Sequence, residues 1–258
     1  MKIAFAGKGG VGKTTIAAWM ADHMARAGHN VWLVDADTAL SLGVASGLEP
    51  EKLPVPLVQR KDLLEEYIGS GVLSLTPDVS GLPEQLAVAL PESEAPLVEG
   101  ADQRGRKQLL VMGTVTSAGG GCACEANALL KALLAHMIYD SQDYVLVDLE
   151  AGVEHLGRGT VASVDRLIIV SEPSLRSLET ASRIGTLAAE LGLKDQILIL
   201  NRCDSDDTVL PEQLDLPSRR YSCGDLPGLR TKMLSDGSVL DLPEQESIDT
   251  LMAALLAE

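Results

Sequence analysis

The chain has 258 residues, with 37 Asp and Glu against 21 Lys and Arg, so its formal net charge is −16. That length accommodates one large domain with a real core, and 46% apolar residues with a single Phe and two Trp describe an aliphatic globular interior, not a disordered chain. The charge argues against nucleic acid and anionic membrane as partners, four cysteines without a regular framework argue against a disulfide-stapled scaffold, and no stretch approaches the roughly 20 apolar residues of a membrane span.

The first residues, MKIAFAGKGG, contain too short an apolar run for a signal peptide, so a cytoplasmic protein is expected. KIAFA at 2–6 reads as a buried strand, followed by glycines and then a helical pattern from Thr14 to about Ala27. NVWLVDAD at 30–37 is a second buried strand, and it ends in acids. Residues 49–105 break this rhythm and read as a less regular insertion with one helix near 60–68. Its part at 92–107 is expected to be mobile, with connecting structure and partner binding both open as roles. QLLVMG at 108–113, DYVLVDLE at 143–150, DRLIIVSEP at 165–173 and DQILILNRCD at 195–204 repeat the strand theme. Helices are expected at 122–138, 175–191, 226–235 and 243–257. Continuous rather than alternating Val/Ile/Leu runs mean burial on both faces. They predict an α/β fold with a mostly parallel, doubly wound sheet flanked by helices, forming a single unit over 1–258.

GKGGVGKT at 7–14 fits G-x-x-x-x-G-K-[ST] and lies between a strand and a helix, where a phosphate loop belongs. Gly7, Gly9, Gly10, Val11 and Gly12 would curl the backbone so that its N–H groups face phosphate oxygens. The following helix, from Thr14 and Thr15 onward, adds the positive end of its dipole. Lys13 would reach the β- and γ-phosphates, and Thr14 would place its hydroxyl on Mg²⁺. Asp148, at the end of a buried strand in VLVDLEAG, sits where a metal-linked carboxylate is expected, with Gly152 closing D-x-x-x-G. NRCD at 201–204 offers Asn201 to the base. It also looks like the guanine-reading N-[KR]-x-D motif, with Asp204 as the guanine partner, so ATP is favoured and GTP stays open.

GGGCACEANALLKALL at 119–134 places Cys122 and Cys124 one residue apart, after a glycine run. Thiolates select soft or borderline metals such as Zn²⁺, and Ni²⁺ also accepts them, but closed sites of this kind take four ligands. A homodimer whose twofold axis passes near this pair would bring four thiolates together. Cys203 and Cys223 are isolated and read as small buried hydrophobes, and His23, His29 and His136 as structural.

GKGGVGKTT, with its extra Lys8, resembles the deviant Walker A loop of the family that includes the nitrogenase iron protein, MinD/ParA-type ATPases and arsenite-pump ATPases. The resemblance implies an ATP/ADP-dependent dimer in which Lys8 contacts phosphates across the interface. It also implies a first switch in VDADT, with Asp37 orienting or deprotonating the attacking water and Asp35 helping to hold Mg²⁺ through water. In this family an Asn at the position of Asn201 contacts adenine. VMGTVTSAGGGCACEANALLKALL, VDLEAGVEHLGRGT, RKDLLEEYIG and SEPSLRSLETASRI look more specifically like the CooC-type ATPases that assist nickel insertion into carbon monoxide dehydrogenase. That likeness implies Ni²⁺, or Zn²⁺ in its place, bound by Cys122 and Cys124 between two protomers. It also implies a base contact near Asp225 in YSCGDLPGLR and carbon monoxide dehydrogenase as client. His155 is a functional candidate by its place in the second switch, the segment that Asp148 and Gly152 open. Two departures, NRCD itself and Cys223, bear on the base contacts. A cluster-bridged electron-transfer ATPase is a competing class, but it needs a cysteine that EAGVEHLG lacks. A membrane- or DNA-positioning ATPase needs a basic surface that the acidic tail does not provide.

Overall fold

The structure is a computed structural model. It describes residues 1–68, 79, 81–113, 132, 133, 136, 143–150, 164–204 and 208–257. Cys122, Cys124, Gly152 and His155 therefore lie outside the described residues.

Eight strands form one sheet: β1 (Lys2–Ala6), β2 (Val31–Ala36), β3 (Val88–Ala89), β4 (Lys107–Val111), β5 (Tyr144–Leu149), β6 (Arg166–Ser171), β7 (Gln196–Asn201) and β8 (Arg219–Cys223). Their spatial order is β3-β4-β2-β5-β1-β6-β7-β8. Every pairing is parallel except that of β3 with β4. The helices are α1 (Lys13–Arg26), α2 (Leu42–Ala45), α3 (Lys61–Ile68), α4 (Leu82–Leu86), α5 (Leu175–Glu190), α6 (Pro227–Lys232) and α7 (Gln245–Leu256).

The sheet is buried on both faces because successive strand residues point to opposite sides and both sides are apolar. Ile3, Phe5, Leu33, Leu146, Ile168, Val170, Ile197 and Ile199 pack with Ile16, Met20 and Met24 of α1 and Ile248, Met252 and Leu255 of α7. Ala4, Ala6, Val34, Val145, Val147, Leu167, Ile169, Leu198 and Leu200 pack with Leu178, Ala181, Ile184 and Ala188 of α5. Each large side chain fully buried in this way contributes about 1.5–3 kcal/mol. The same parity has a functional consequence. Asp35 on β2 and Asp148 on β5 fall on the α1 face, and they stand side by side in the β2–β5 register.

The strands and long helices expected from the apolar runs are present within a residue or two, and the helix expected at 226–235 is shorter, at Pro227–Lys232. Of the helix expected at 122–138, Ala132, Leu133 and His136 are described and helical. The irregular stretch after Glu49 holds α4 and the two-residue β3 besides α3.

The expectation of mobility at 92–107 gives way to firm anchoring. Val98 N–H bonds the Arg26 carbonyl at 3.1 Å and Gly105 N–H the Ala25 carbonyl at 2.8 Å. Beneath them lies a buried ionic cluster. The Asp22 carboxylate accepts Lys107 Nζ at 2.7 Å, Arg26 Nε at 2.9 Å and Ser93 Oγ at 2.9 Å. Arg26, 1% exposed, also donates to Asp249 on α7. Charges this deep are tolerated because each is paired and hydrogen-bonded.

Candidate functional site: a phosphate loop at the carboxyl edge of the sheet

The carboxyl ends of β1, β2, β5 and β7 converge on one side of the sheet, where open α/β folds bind ligands. The loop between β1 and α1 is held there by close backbone approach. Gly7 has φ 150°, and a Cβ on it would stand 2.1 Å from the Val170 carbonyl oxygen. Gly12 has φ 101°, and a Cβ there would stand 2.4 Å from Asn201 Nδ2. Gly10 is the third left-handed position of the loop, and Gly9 is not one. Gly12 caps α1, whose first residue is Lys13. Lys13 is 5% exposed and has no ion-pair partner among the described residues, so its charge is free for a phosphate.

Behind the loop, Thr14 Oγ1 donates to Asp148 Oδ2 at 2.6 Å. Ser41 Oγ lies 3.5 Å from Thr14 Oγ1. Asp148 is 0% exposed, and its Oδ1 is buried without a hydrogen-bond partner among the described residues. Burial first, then the neighbouring Asp35 charge, raises its carboxyl to about 7, against the opposing pull of the Thr14 hydroxyl and Lys13. Asp35 is raised to about 6, again chiefly by burial, although it accepts Leu42 N–H at 3.0 Å and Asp37 N–H at 3.2 Å. Its carboxylate therefore holds the turn between β2 and α2.

A pocket of about 720 Å³ opens in front of these groups. Among the residues expected to bind nucleotide, Gly9, Gly10, Gly12, Lys13, Thr14, Thr15, Asp37, Asn201 and Asp225 line it. Gly7, Val11, Asp35 and Asp148 are buried behind the wall. Lys8 is exposed and does not line the pocket of its own chain. Asn201 Nδ2 donates to the Val11 carbonyl at 2.7 Å, and its Oδ1 accepts Arg202 N–H at 3.0 Å, so this side chain ties the end of β7 to the phosphate loop. Asp204 is exposed and does not line the pocket. Its Oδ1 accepts Asp225 N–H at 3.2 Å, which places the carboxylate of the N-[KR]-x-D pattern on a neighbouring turn. Asp225 pairs with Arg230 at 2.6 Å.

The wall also contains Thr38, Ser41, Glu150, Arg202, Leu226, Leu229, Arg230 and Met233, none of which the sequence singles out as a binding residue. Glu150 lies two residues beyond Asp148, and the β2–β5 register, extended one step past Ala36↔Leu149, sets it beside Asp37. The others are gathered by tertiary folding alone.

Chemically, the site combines a glycine loop at a helix N-terminus, a buried ammonium without an ion-pair partner among the described residues, and a hydroxyl–carboxylate pair whose second carboxylate oxygen has no hydrogen-bond partner among them. It suits a nucleoside triphosphate and a hard divalent cation that takes few protein ligands. No group of three or more His, Cys, Asp or Glu among the described residues is arranged to hold a metal ion. Nor is any helix among the described residues long and apolar enough to cross a membrane.

Residues 2–222 match the model of the CobQ/CobB/MinD/ParA nucleotide-binding domain. The carbon monoxide dehydrogenase accessory protein CooC of Rhodospirillum rubrum is 41% identical over 212 residues, which span 80% of this chain and 75% of that protein. An uncharacterized ATP-binding protein of Methanocaldococcus jannaschii is 34% identical over 97% of this chain and 96% of its own length. The septum site-determining protein MinD of Pyrococcus horikoshii, solved with Mg-ADP, superposes with a TM-score of 0.62 at 19% identity, covering 98% of this chain and 93% of that one, which supports the fold. With the phosphate loop, the strand-end carboxylates and the sheet order already in place, these likenesses identify the chain as an ATP-hydrolysing P-loop enzyme of the CobQ/CobB/MinD/ParA family, belonging within it to the CooC group.

Proposed function

We propose that this protein is an ATP-driven metallochaperone that carries nickel on Cys122 and Cys124 and delivers it to carbon monoxide dehydrogenase in the cytoplasm. The observation that carries the reading is the C-x-C pair, set in a glycine run within a chain 41% identical to a carbon monoxide dehydrogenase accessory protein. Two thiolates complete a four-ligand site only when a second identical chain supplies its own pair, so the active form is a homodimer. Zn²⁺ can occupy the same thiolates in place of nickel.

A physical route from nucleotide to metal supports this. The chain leaves β4 towards Cys122 through Met112 and Gly113, whose N–H groups both bond the Asp35 carbonyl, at 2.9 and 3.2 Å. The Asp35 side chain in turn holds the turn that carries Asp37. A change in that turn on ATP binding or hydrolysis therefore reaches the root of the cysteine segment through one residue. Coupling of this kind is reciprocal, so metal and dimerisation must favour ATP as ATP favours them.

In hydrolysis, Lys13 and the loop amides neutralise the β- and γ-phosphates, and Lys8 of each protomer acts on the partner's nucleotide. Asp37 orients or deprotonates the attacking water. Thr14 and Asp148, whose Oδ1 has no hydrogen-bond partner among the described residues, would hold Mg²⁺ with Asp35 behind them, and the ion would supply charge neutralisation for the phosphates. The direct test is a nickel titration of C122S/C124S. The reading requires loss of tight nickel binding with ATP turnover retained, and it fails if the variant binds nickel as tightly as the unmodified protein.

A further inference from the structure

Thr38 lies one residue past the proposed water-activating Asp37, on the wall of the nucleotide pocket. Its hydroxyl stands 3.0 Å from Glu150 Oε1 and 3.4 Å from Asp37 Oδ1. A hydroxyl has one proton, and the shorter contact to Glu150 takes it. Asp37 Oδ1 meanwhile accepts Ala39 N–H at 2.9 Å. Among the described residues, the Thr38–Glu150 bond is the one hydrogen bond that ties residues 37–40 to a strand segment other than β2. The turn needs such a tie, because Leu40 sits at φ 49°, in the left-handed region that a bulky residue occupies only when its surroundings hold it there.

Glu150 reaches Thr38 because β5 runs parallel to β2 in the register Asp35↔Asp148 and Ala36↔Leu149. Extended by one step, that register sets Glu150 beside Asp37 at the rim of the site. We infer that Glu150 is a positioning residue for ATP hydrolysis: through the Thr38 hydroxyl it fixes the Asp37 turn at the phosphate end of the pocket. The inference rests on ATP hydrolysis and on Asp37 acting in it, and is independent of the nickel reading. A fixed turn matters in the transition state more than in nucleotide binding, so its loss falls on kcat and spares KM.

The test is steady-state ATPase activity without nickel, at protein concentrations where the rate per chain is constant, for T38V, T38S, E150A, E150Q and the double variant T38V/E150A. T38V and E150A are expected each to lower kcat about tenfold with KM for MgATP within about threefold, the loss on the order of one charge-assisted hydrogen bond. T38S keeps the hydroxyl and E150Q keeps an acceptor oxygen, so both should stay within about threefold of the unmodified protein. The double variant should be no slower than the slower single one, since both remove the Thr38–Glu150 bond. Multiplying losses in the double variant would overturn the inference, as would an E150Q as slow as E150A or an effect confined to KM. Unfolding midpoints of the nucleotide-free variants distinguish a folding defect; they are expected to match the unmodified protein, because Thr38 is exposed and Glu150 half-buried. Nickel bound as tightly by C122S/C124S, with the ATPase pattern as expected, would sink the nickel reading and leave this inference standing. Nickel binding lost in C122S/C124S, with the ATPase pattern failing, would sink this inference and leave the nickel reading standing.

Discussion

Replacing Asp148 by Asn should make the nucleotide-free protein more stable at alkaline pH, although it removes a charge the enzyme needs. The folded protein holds this carboxyl at about 7, against an ordinary value of 3.8. A raised carboxyl means that the native state binds the proton more tightly than the unfolded chain does. Its contribution is therefore intact below about pH 4, declines as pH rises through about 7, and is lost above that. A carboxyl raised this far costs the charged native state about 4 kcal/mol at most, and relaxation of the site and its coupling to Asp35 bring the expected figure to roughly 2–4 kcal/mol. Asn keeps an oxygen to accept the Thr14 hydroxyl, so packing and one hydrogen bond survive. Urea unfolding in the presence of a chelator, repeated from pH 4 to 8.5, reads the effect. The variant should exceed the unmodified protein by roughly 2–4 kcal/mol at pH 8 and match it within about 1 kcal/mol at pH 4. A variant that is no more stable at pH 8, or an advantage that does not shrink on acidification, would refute the reasoning. With Mg²⁺ and ADP added, the advantage should shrink, because the unmodified protein gains more binding energy from the metal-bound nucleotide.

Replacing Asp22 by Ala would leave Arg26 and Lys107 buried without their shared carboxylate, and loss of one partner from such a cluster costs about 3–5 kcal/mol. A fall in Tm of on the order of 10 °C in scanning calorimetry is expected, and no change would contradict the description of the cluster. Burial pushes the Asp22 carboxyl up, but Lys107, Arg26 and Ser93 outweigh it and hold it below the usual range. This part of the stability is therefore present above about pH 4 and lost as the solution is acidified further. Gly12→Ala should weaken fluorescent ADP binding at least tenfold with circular dichroism unchanged, because the added methyl meets Asn201 Nδ2 and the backbone is left-handed there. Lys13→Ala should abolish measurable ATP turnover with little loss of fold stability, since this buried cation has no ion-pair partner among the described residues.

Much of this fold is legible in the chain because its central strands are fully buried. KIAFA, VWLVDA, YVLVDL, RLIIVS and QILILN are continuous apolar runs, and turns or polar residues follow each. The strands that escape a reading of the sequence are those without such a run. In β8, RRYSC opens with two arginines and only its last residue is buried, and β3 has only two residues. The anchored stretch at 92–107 looks like a linker by composition. The partners that fix it, Asp22, Ala25 and Arg26, lie on α1, some 70 or more residues earlier in the chain. In the site, the phosphate loop and Asp148 follow from motif and strand end. Asn201, expected at the base, lines the pocket and also donates to the Val11 carbonyl, and Glu150 becomes visible only through the register of β5 against β2. Spacing along a chain identifies residues that share an element, whereas such pairings join elements far apart in sequence.

The metallochaperone reading requires four sulfurs to meet across two chains under nucleotide control. Size-exclusion chromatography with metal analysis of the eluted peak, with and without nickel and a non-hydrolysable ATP analogue, tests it most directly. With both ligands present the protein should elute as a dimer carrying one nickel per two chains, and C122S/C124S should dimerise without the metal. A monomer that retains one nickel by itself, or a metal-loaded dimer unaffected by loss of both cysteines, would contradict it.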